Sequence, residues 1–482
     1  MNSNILYNEK NDNLYILLYQ LGQGAFSTVW FSYEICNFMK DVIRKKINTN
    51  NIIINVRALK IHKDDSYKEG ILETKINDIL QFNKTKSNLI NYPLSFFIED
   101  DIVIIVYELA LGSLYDILKK FNRDLDPDFI LKIIPDMIES IKFIHNCGYI
   151  HTDIKPENFL LMGISEKQQN LFTYIKKNKL LDNFKKLSSN KKYNDLYENI
   201  KKYIYNFLND ISSKFKLVDN ILEDYNESTN SEDSNDSEDS EDSEDSNNSD
   251  NTNCSSYDSD FEEYNQELDI FHVQKILKLL NNSKIHKEDY NEDNNEDNKD
   301  NKNHKEELYN LKSYMTKPII KLTDFGCIVK NDSECKTIQT RYYRSPEIIL
   351  GLNYNYKADI WSLGCSIYEL LTGKILVNID HDDKINDYDK DLINIKIILE
   401  KICNNKNDIN HLCFLIKESQ RSSYIINNNF LPISIRFYKN INNNSIITEI
   451  SNLQKLEKFQ VEIYKKYFNS MLLISVKDRS FS

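Results

Sequence analysis

Apolar residues fall into short runs early in the chain and into longer, helically spaced runs further on. Tyr15–Tyr19, Val29–Tyr33, Val56–Lys60 and Ile102–Tyr107 have the length and composition of strands. Between the last two, Tyr67–Leu80 carries Ile76, Ile79 and Leu80, which predicts a helix with those three on its buried face. Ile130–Asn146 predicts a second helix, its end marked by Gly148. Apolar residues at similar spacing recur in the Lys-rich stretch Glu166–Asp224. They recur again in Leu268–Leu280, through Ile270, Val273, Ile276, Leu277 and Leu280. These two stretches read as helices packed on a main body, and nearly as well as transient, solvated ones.

Polar tracts interrupt this pattern in one place. From Glu227 to Glu263 there are fifteen acidic residues and no Lys or Arg. A run of this kind cannot bury enough apolar surface to offset its ordering entropy, so disorder is predicted. Asn291–His304 reads the same way. Residues 163–316 are therefore read as one insert, with 328 residues left for the rest. The formal net charge of −13 belongs mostly to the acidic block, since the remainder holds 59 acids and 61 bases. At about 150 residues per domain, 482 residues suggest roughly three domains or one large domain with insertions.

Several classes drop out on composition. No stretch approaches the ~18 consecutive apolar residues of a membrane span. Met1–Asn13 is polar, and no secretory leader is expected. None of the eight cysteines forms a C-x-x-C pair or a Cys/His cluster of zinc spacing. Free thiols in a reducing, intracellular setting are the simplest expectation, cytoplasmic or nuclear.

The candidate chemistry begins at Leu21-Gly22-Gln23-Gly24-Ala25-Phe26-Ser27-Thr28-Val29, between two predicted strands. Glycine lets backbone turn tightly and approach phosphates closely. No Gly-Lys-Ser/Thr follows, so this is not a Walker loop. A strand follows where the dinucleotide fingerprint needs a helix. Alone, the motif is an ordinary hairpin turn. Downstream, Val56-Arg57-Ala58-Leu59-Lys60 is a strand ending in a lysine, and the next helix offers Glu73 and Glu69 as its partner. Glu73 is favoured, because Ile76, Ile79 and Leu80 then supply the buried face beside it.

The strongest signal is His151-Thr152-Asp153-Ile154-Lys155-Pro156-Glu157-Asn158. Its residue types suit phosphoryl transfer, which depends on positioning and charge neutralisation. Asp153 would orient or accept the proton of an attacking hydroxyl. Lys155 would offset charge on the transferred group, and Asn158 would offer a neutral oxygen to Mg²⁺. Lys321-Leu322-Thr323-Asp324-Phe325-Gly326 supplies a metal carboxylate in Asp324. After it come Gln339-Thr340-Arg341-Tyr342-Tyr343-Arg344-Ser345-Pro346-Glu347 and Asp359-Ile360-Trp361-Ser362-Leu363-Gly364. Arg479 is a candidate buried partner for Glu347.

Taken together and in this order, these motifs resemble the eukaryotic protein kinase family over Tyr15–Met162 and Lys317–Arg479. Within it they resemble the CMGC group, and most of all the SR-protein kinases. The features are Ser27 at the third glycine position, Thr152 before the loop Asp, the ending IQTRYYRSPE, and the insert after Asn158-Phe159-Leu160-Leu161. The segment Tyr388–Ile395 and the hinge Tyr107-Glu108-Leu109-Ala110 add to it. The resemblance implies an α+β, two-lobed protein-kinase fold, with a small β-rich N-lobe, a larger helical C-lobe and a long, partly disordered insert. Its divisions would be a tail (1–14), an N-lobe (15–106), the hinge and first part of the C-lobe (107–162), the insert (163–316) and the rest of the C-lobe (317–482).

It further implies an ATP- and Mg²⁺-dependent serine/threonine kinase. Leu21–Val29, Lys60, Glu108 and Ala110 would hold ATP, Asn158 and Asp324 would hold Mg²⁺, and Asp153, Lys155, Lys60 and Glu73 would be catalytic. Arginine before the loop Asp would clamp an activation-loop phosphate, and Thr152 cannot, so activity without that phosphorylation is expected. Asp380, Asp382, Asp383, Asp387, Asp389 and Asp391 stand against Lys384 and Lys390. They would attract Arg/Ser-rich protein substrates. A monomer is expected, with no direct nucleic-acid or membrane partner. The other reading is a catalytically inactive, kinase-shaped scaffold whose acidic insert binds basic partners.

Overall fold

The computed structural model describes residues 5–24, 26–37, 54–63, 65–82, 87–177, 206, 311–331, 338–378, 387–403, 406–419 and 445–481. The acidic block, the tract 291–304 and the run 268–280 lie outside them.

The smaller lobe is a six-stranded antiparallel sheet. Its strands are β1 (Ile5–Asn8), β2 (Asn13–Gln23), β3 (Ser27–Ile35), β4 (Ile54–His62), β5 (Ser95–Glu99) and β6 (Ile102–Tyr107), in the spatial order 1-2-3-4-6-5. Residues 5–8 are thus not a tail. They pair with Asn13–Ile16, and Leu6 among them is buried. Alternation along β6 sends Ile104 and Val106 to the outer face with Tyr15, Leu17 and Leu59. It sends Val103, Ile105 and Tyr107 to the inner face with Leu14, Ile16, Phe31 and Tyr33. Helix α1 (Tyr67–Gln81) covers part of the inner face. Ile76 and Leu80 are buried as expected, whereas Ile79 is 48% exposed and points away from the sheet. At 100° per residue, a helix seated on Gly70, Glu73, Asn77 and Leu80 turns position 79 outward.

The larger lobe is helical. After β7 (Ala110–Ser113) come α2 (Leu114–Lys120), α3 (Pro127–Asn146), β8 (Tyr149–Ile150) and β9 (Phe159–Met162). Helix α3 starts at the cap Asp126, which accepts from the Asp128 N–H, and has Pro at its first position. It buries Ile130, Ile133, Ile134, Met137, Ile141 and Ile144, a 3–4 spacing that defines its core face.

Helix α4 (Glu166–Lys177) follows, and the chain resumes in β10 (Ile320–Leu322) and β11 (Val329–Lys330). Then come α5 (Pro346–Ile349), α6 (Lys357–Thr372), α7 (Asp387–Lys401), α8 (Lys406–Glu418), α9 (Ile446–Ser451) and α10 (Lys458–Met471). Strands β7, β9 and β10 form one small sheet, and β8 pairs with β11. Every residue of α6 from Ala358 to Leu371 is buried, as befits a helix at the centre of a lobe.

Both ends of the expected insert belong to the folded body. Leu171 and Ile175 of α4 are buried among Leu14, Phe31, Tyr33 and Val103 of the smaller lobe, with Phe172 against Tyr33. Residues 311–316 are helical, and Leu311 and Met315 enter the core of the larger lobe. The corner between β9 and α4 is Gly163 at φ +151°. A Cβ there would lie 2.7 Å from the Tyr314 ring and 2.8 Å from Leu111.

Candidate active site

The glycine motif is the β2–β3 hairpin. Gly22 pairs with Val29 and Gln23 with Thr28, and the Gly24 N–H closes the turn on the Ser27 carbonyl at 2.8 Å. Leu21, Gly22, Gln23 and Gly24 are exposed; a Cβ on Gly22 would meet nothing within 4 Å, which leaves the backbone open to a ligand. Ala25 lies outside the described residues. The Lys63 N–H donates to the Phe26 carbonyl, tying the tip to the end of β4.

Lys60 projects from β4 onto the inner face. Its Nζ donates to Glu73 at 3.0 and 2.8 Å and to Asp324 Oδ1 at 2.8 Å. Glu69 makes no such contact among the described residues. Burial pulls the Lys60 ammonium down, and the carboxylates of Asp324 and Glu73 more than reverse this, so its pKa is raised. Burial pushes Glu73 up, and Lys60 together with His62 outweighs it, so the carboxyl is held below its ordinary range. The Lys60 charge holds Asp324 down to about 2. Phe325 is fully buried, edge-on to His151 at 5.6 Å.

The catalytic loop follows β8, where the DFG segment reaches it. Asp153 Oδ1 accepts from the Thr340 hydroxyl at 2.6 Å, and Oδ2 lies 2.8 Å from Lys155 Nζ. Lys155 also donates to Thr340 Oγ1 at 3.2 Å. Burial lowers Lys155 and the Asp153 charge more than restores it, giving a raised pKa. Asn158 Nδ2 donates to the Asp153 carbonyl at 2.7 Å and to its carboxylate at 3.1 Å, which orients the amide. The Thr323 N–H donates to the Asn158 carbonyl at 3.0 Å, so Asn158 and Asp324 are held on adjacent strand ends. One partly exposed carboxylate and one amide oxygen form a hard donor set. That suits Mg²⁺, which keeps most of its waters and takes only one or two protein carboxylates. In the hinge, the Glu108 side chain turns to Lys321 at 2.7 Å, and Ala110 opens β7 opposite Met162.

Other residues complete the site without having been singled out for it. Asp359 of the buried α6 accepts from the His151 N–H at 2.8 Å and the Thr152 N–H at 2.9 Å, and lies 2.9 Å from His145 Nε2. It fixes the loop that carries Asp153. Thr152 sits at φ +69° and donates from its hydroxyl to the Cys327 carbonyl at 2.6 Å. Thr340 and Tyr107 also belong here. At the end of the activation segment, Asp324 to Glu347, Arg479 clamps Glu347 with two bonds of 2.7 and 2.9 Å. Of the carboxylate cluster, Asp380, Asp382 and Asp383 and the side chains of Asp387 and Asp389 lie outside the described residues. Asp391 is buried, 2.9 Å from Arg341 and 3.9 Å from Arg344, so its charge is spent on the activation segment.

A glycine hairpin, a lysine held between two carboxylates, and a loop aspartate beside an amide and a second lysine define a phosphoryl-transfer site of the kinase type. The family profile of the protein kinase domain matches residues 15–182 and 269–429. The chain belongs to the protein kinase family. It is 26% identical over 393 residues to a chain of Acanthamoeba polyphaga mimivirus assigned as serine/threonine-protein kinase L205, covering 75% of this chain and 67% of that one. Against the protein kinase dsk1 of Schizosaccharomyces pombe, identity is 25% over 403 residues, covering 81% and 66%. The chain thus spans about two thirds of the length of both relatives. A crystal structure titled PF14_0431, kinase domain, superposes with a TM-score of 0.50 at 16% identity, covering 99% of this chain and 94% of that one. It bears out the fold. With the motifs, the curated relatives group the chain with CMGC-type serine/threonine kinases of SR-protein-kinase-like pattern.

Proposed function

We propose that this chain transfers the γ-phosphoryl group of ATP to serine and threonine hydroxyls of proteins, with Mg²⁺. The observation that carries this reading is the pairing of Lys60 with Glu73 and Asp324 while Asp153, Lys155 and Asn158 are linked to one another within the loop His151–Asn158. Lys60 would hold the nucleotide phosphates under the β2–β3 hairpin, and the backbone of Glu108 and Ala110 would seat the base. Asp153 would orient the attacking hydroxyl and take its proton, and Lys155 would offset charge on the group in flight. Asn158 and Asp324 would hold Mg²⁺, which when bound neutralises phosphate charge. The inactive-scaffold reading requires a broken constellation, and Lys60, Asp153, Asn158 and Asp324 are all present and engaged. The test is ATP-dependent phosphorylation of an arranged peptide library, with Asp153→Asn as control. Label incorporation equal in the two proteins would overturn the assignment.

For substrates, basic Arg/Ser-rich proteins fit best, on the carboxylates between Asp380 and Asp389. Turnover of an Arg/Ser peptide is then expected to fall steeply with salt, and again in Asp382→Asn/Asp383→Asn. Equal turnover of acidic and basic peptides would remove this preference. A monomer acting inside the cell, without nucleic acid or membrane, completes the proposal.

A further inference from the structure

Glu73 has a partner besides Lys60. Tyr107 ends β6 on the inner face of the sheet, opposite Ala58, two rungs from the pair Lys60–Ile105. Helix α1 lies tightly on this face. A Cβ on Gly70 would be 2.7 Å from Val103 Cβ and 3.0 Å from the His62 ring. One turn on stands Glu73, and a further turn on stands Asn77, so all three share the sheet-facing side. The Tyr107 hydroxyl donates to Glu73 Oε1 at 2.9 Å. Asn77 Nδ2 approaches the same hydroxyl oxygen at 3.4 Å and donates to the Glu73 carbonyl at 2.9 Å. Glu73, Asn77 and Tyr107 are all buried. His62 Nε2 lies 3.3 Å from the other carboxylate oxygen, Glu73 Oε2, and leaves Oε1 to Tyr107 and Lys60. Burial, and after it the Glu73 charge, raises the phenol pKa well above its ordinary value, so the hydroxyl keeps the proton it donates.

We infer that the Tyr107 hydroxyl is a positioning group that fixes the Glu73 carboxylate, and with it α1, so that Lys60 is presented to the nucleotide. The inference rests on the phosphoryl-transfer reading. Lys60 bridges both carboxylate oxygens from the end of a flexible four-carbon chain, which leaves the pair free to shift together. A second donor on Oε1, anchored in the sheet, removes that freedom.

Tyr107→Phe deletes the hydroxyl and keeps the ring. A hydrogen bond to a buried charge is worth a factor of about 10 to 100. With Lys60 still in place, the lower end applies: kcat/KM for ATP should fall about tenfold. In a Glu73→Ala background, the same change should have less than about a twofold effect, because the group it positions is gone. A purely structural hydroxyl would give equal factors in both backgrounds, and that result, or less than about twofold in the parent, overturns the inference. Amide hydrogen exchange over 67–81 is the readout independent of turnover. It should speed up in Tyr107→Phe, and unchanged rates count against the inference. Should Tyr107→Phe not fold, Asn77→Ala is the second probe, expected to lower kcat/KM about threefold; no loss overturns the role. If the unmodified chain shows no phosphoryl transfer, the functional reading fails by itself, and hydrogen exchange still decides the role of Tyr107.

Discussion

Glu347→Gln tests how the activation segment is anchored. Glu347 and Arg479 are 1% and 0% exposed, and the guanidinium spends four donor contacts: two on the carboxylate, one on the Leu473 carbonyl and one on the Lys357 carbonyl. It also lies 5.2 Å from the centre of the Trp361 ring. Removing the carboxylate charge leaves a cation buried without its counter-ion, which costs about 3–5 kcal/mol. Against a total stability of about 5–15 kcal/mol, that is a large fraction. With a urea dependence of about 3 kcal/mol per molar, the unfolding midpoint should drop by about 1–1.7 M. Trp361 fluorescence reports the transition from within the affected lobe. Glu347→Leu combined with Arg479→Met removes both charges and should recover most of the loss. A midpoint shift below about 0.3 M in Glu347→Gln, or a double variant no better than the single one, would refute the reasoning.

Leu171→Ala, in the helix that follows β9, empties a fully buried site and should cost about 2–5 kcal/mol in the same urea experiment; a neutral result would mean that α4 is not docked. Asp324, held at about 2, contributes stability that is present above the ordinary carboxylate range and lost as pH falls through 2. Lys60→Met removes the main cause, so carboxyl NMR should find the Asp324 pKa moved up toward the ordinary range, and an unmoved value would contradict the pairing. Thr152 uses its hydroxyl on the Cys327 carbonyl and offers no guanidinium to a phosphate. Phosphatase treatment should therefore leave activity intact, and loss of most activity would show a phosphate-dependent loop.

What the sequence made legible was local. The loop His151–Asn158 and the segment Asp324–Gly326 keep their chemistry within a few contiguous residues, so composition and order suffice. Helix α3 was legible because its buried residues obey one period over five turns. The choice of Glu73 over Glu69 followed from the face it shares with Ile76 and Leu80. The exposed Ile79 was misplaced because three apolar residues cannot fix a helix's rotation; the close approach at Gly70 does. Residues 5–8 were too short a run to read as a strand. Asp359 was legible as the start of a motif, but its partners, His151 and Thr152, stand more than 200 positions away and only the fold brings them to it. Asp391 looked like one more surface acid until Arg341 was seen beside it. Tyr107 was legible as hinge, while its hydroxyl's task depends on a helix approaching from another direction.

Gly163 and the three-residue corner it begins have a mechanical consequence. An ordinary two-body machine joined by one connector can tilt, twist and gape about it. Here the bodies are joined a second time, because β9 belongs to the larger one and α4, starting at Glu166, is embedded in the smaller. Among the described residues these two connectors define a line, and rotation about that line is the cheap degree of freedom. Opening and closing of the cleft is thereby reduced toward a single axis running through Glu108–Ala110 and Gly163–Ser165.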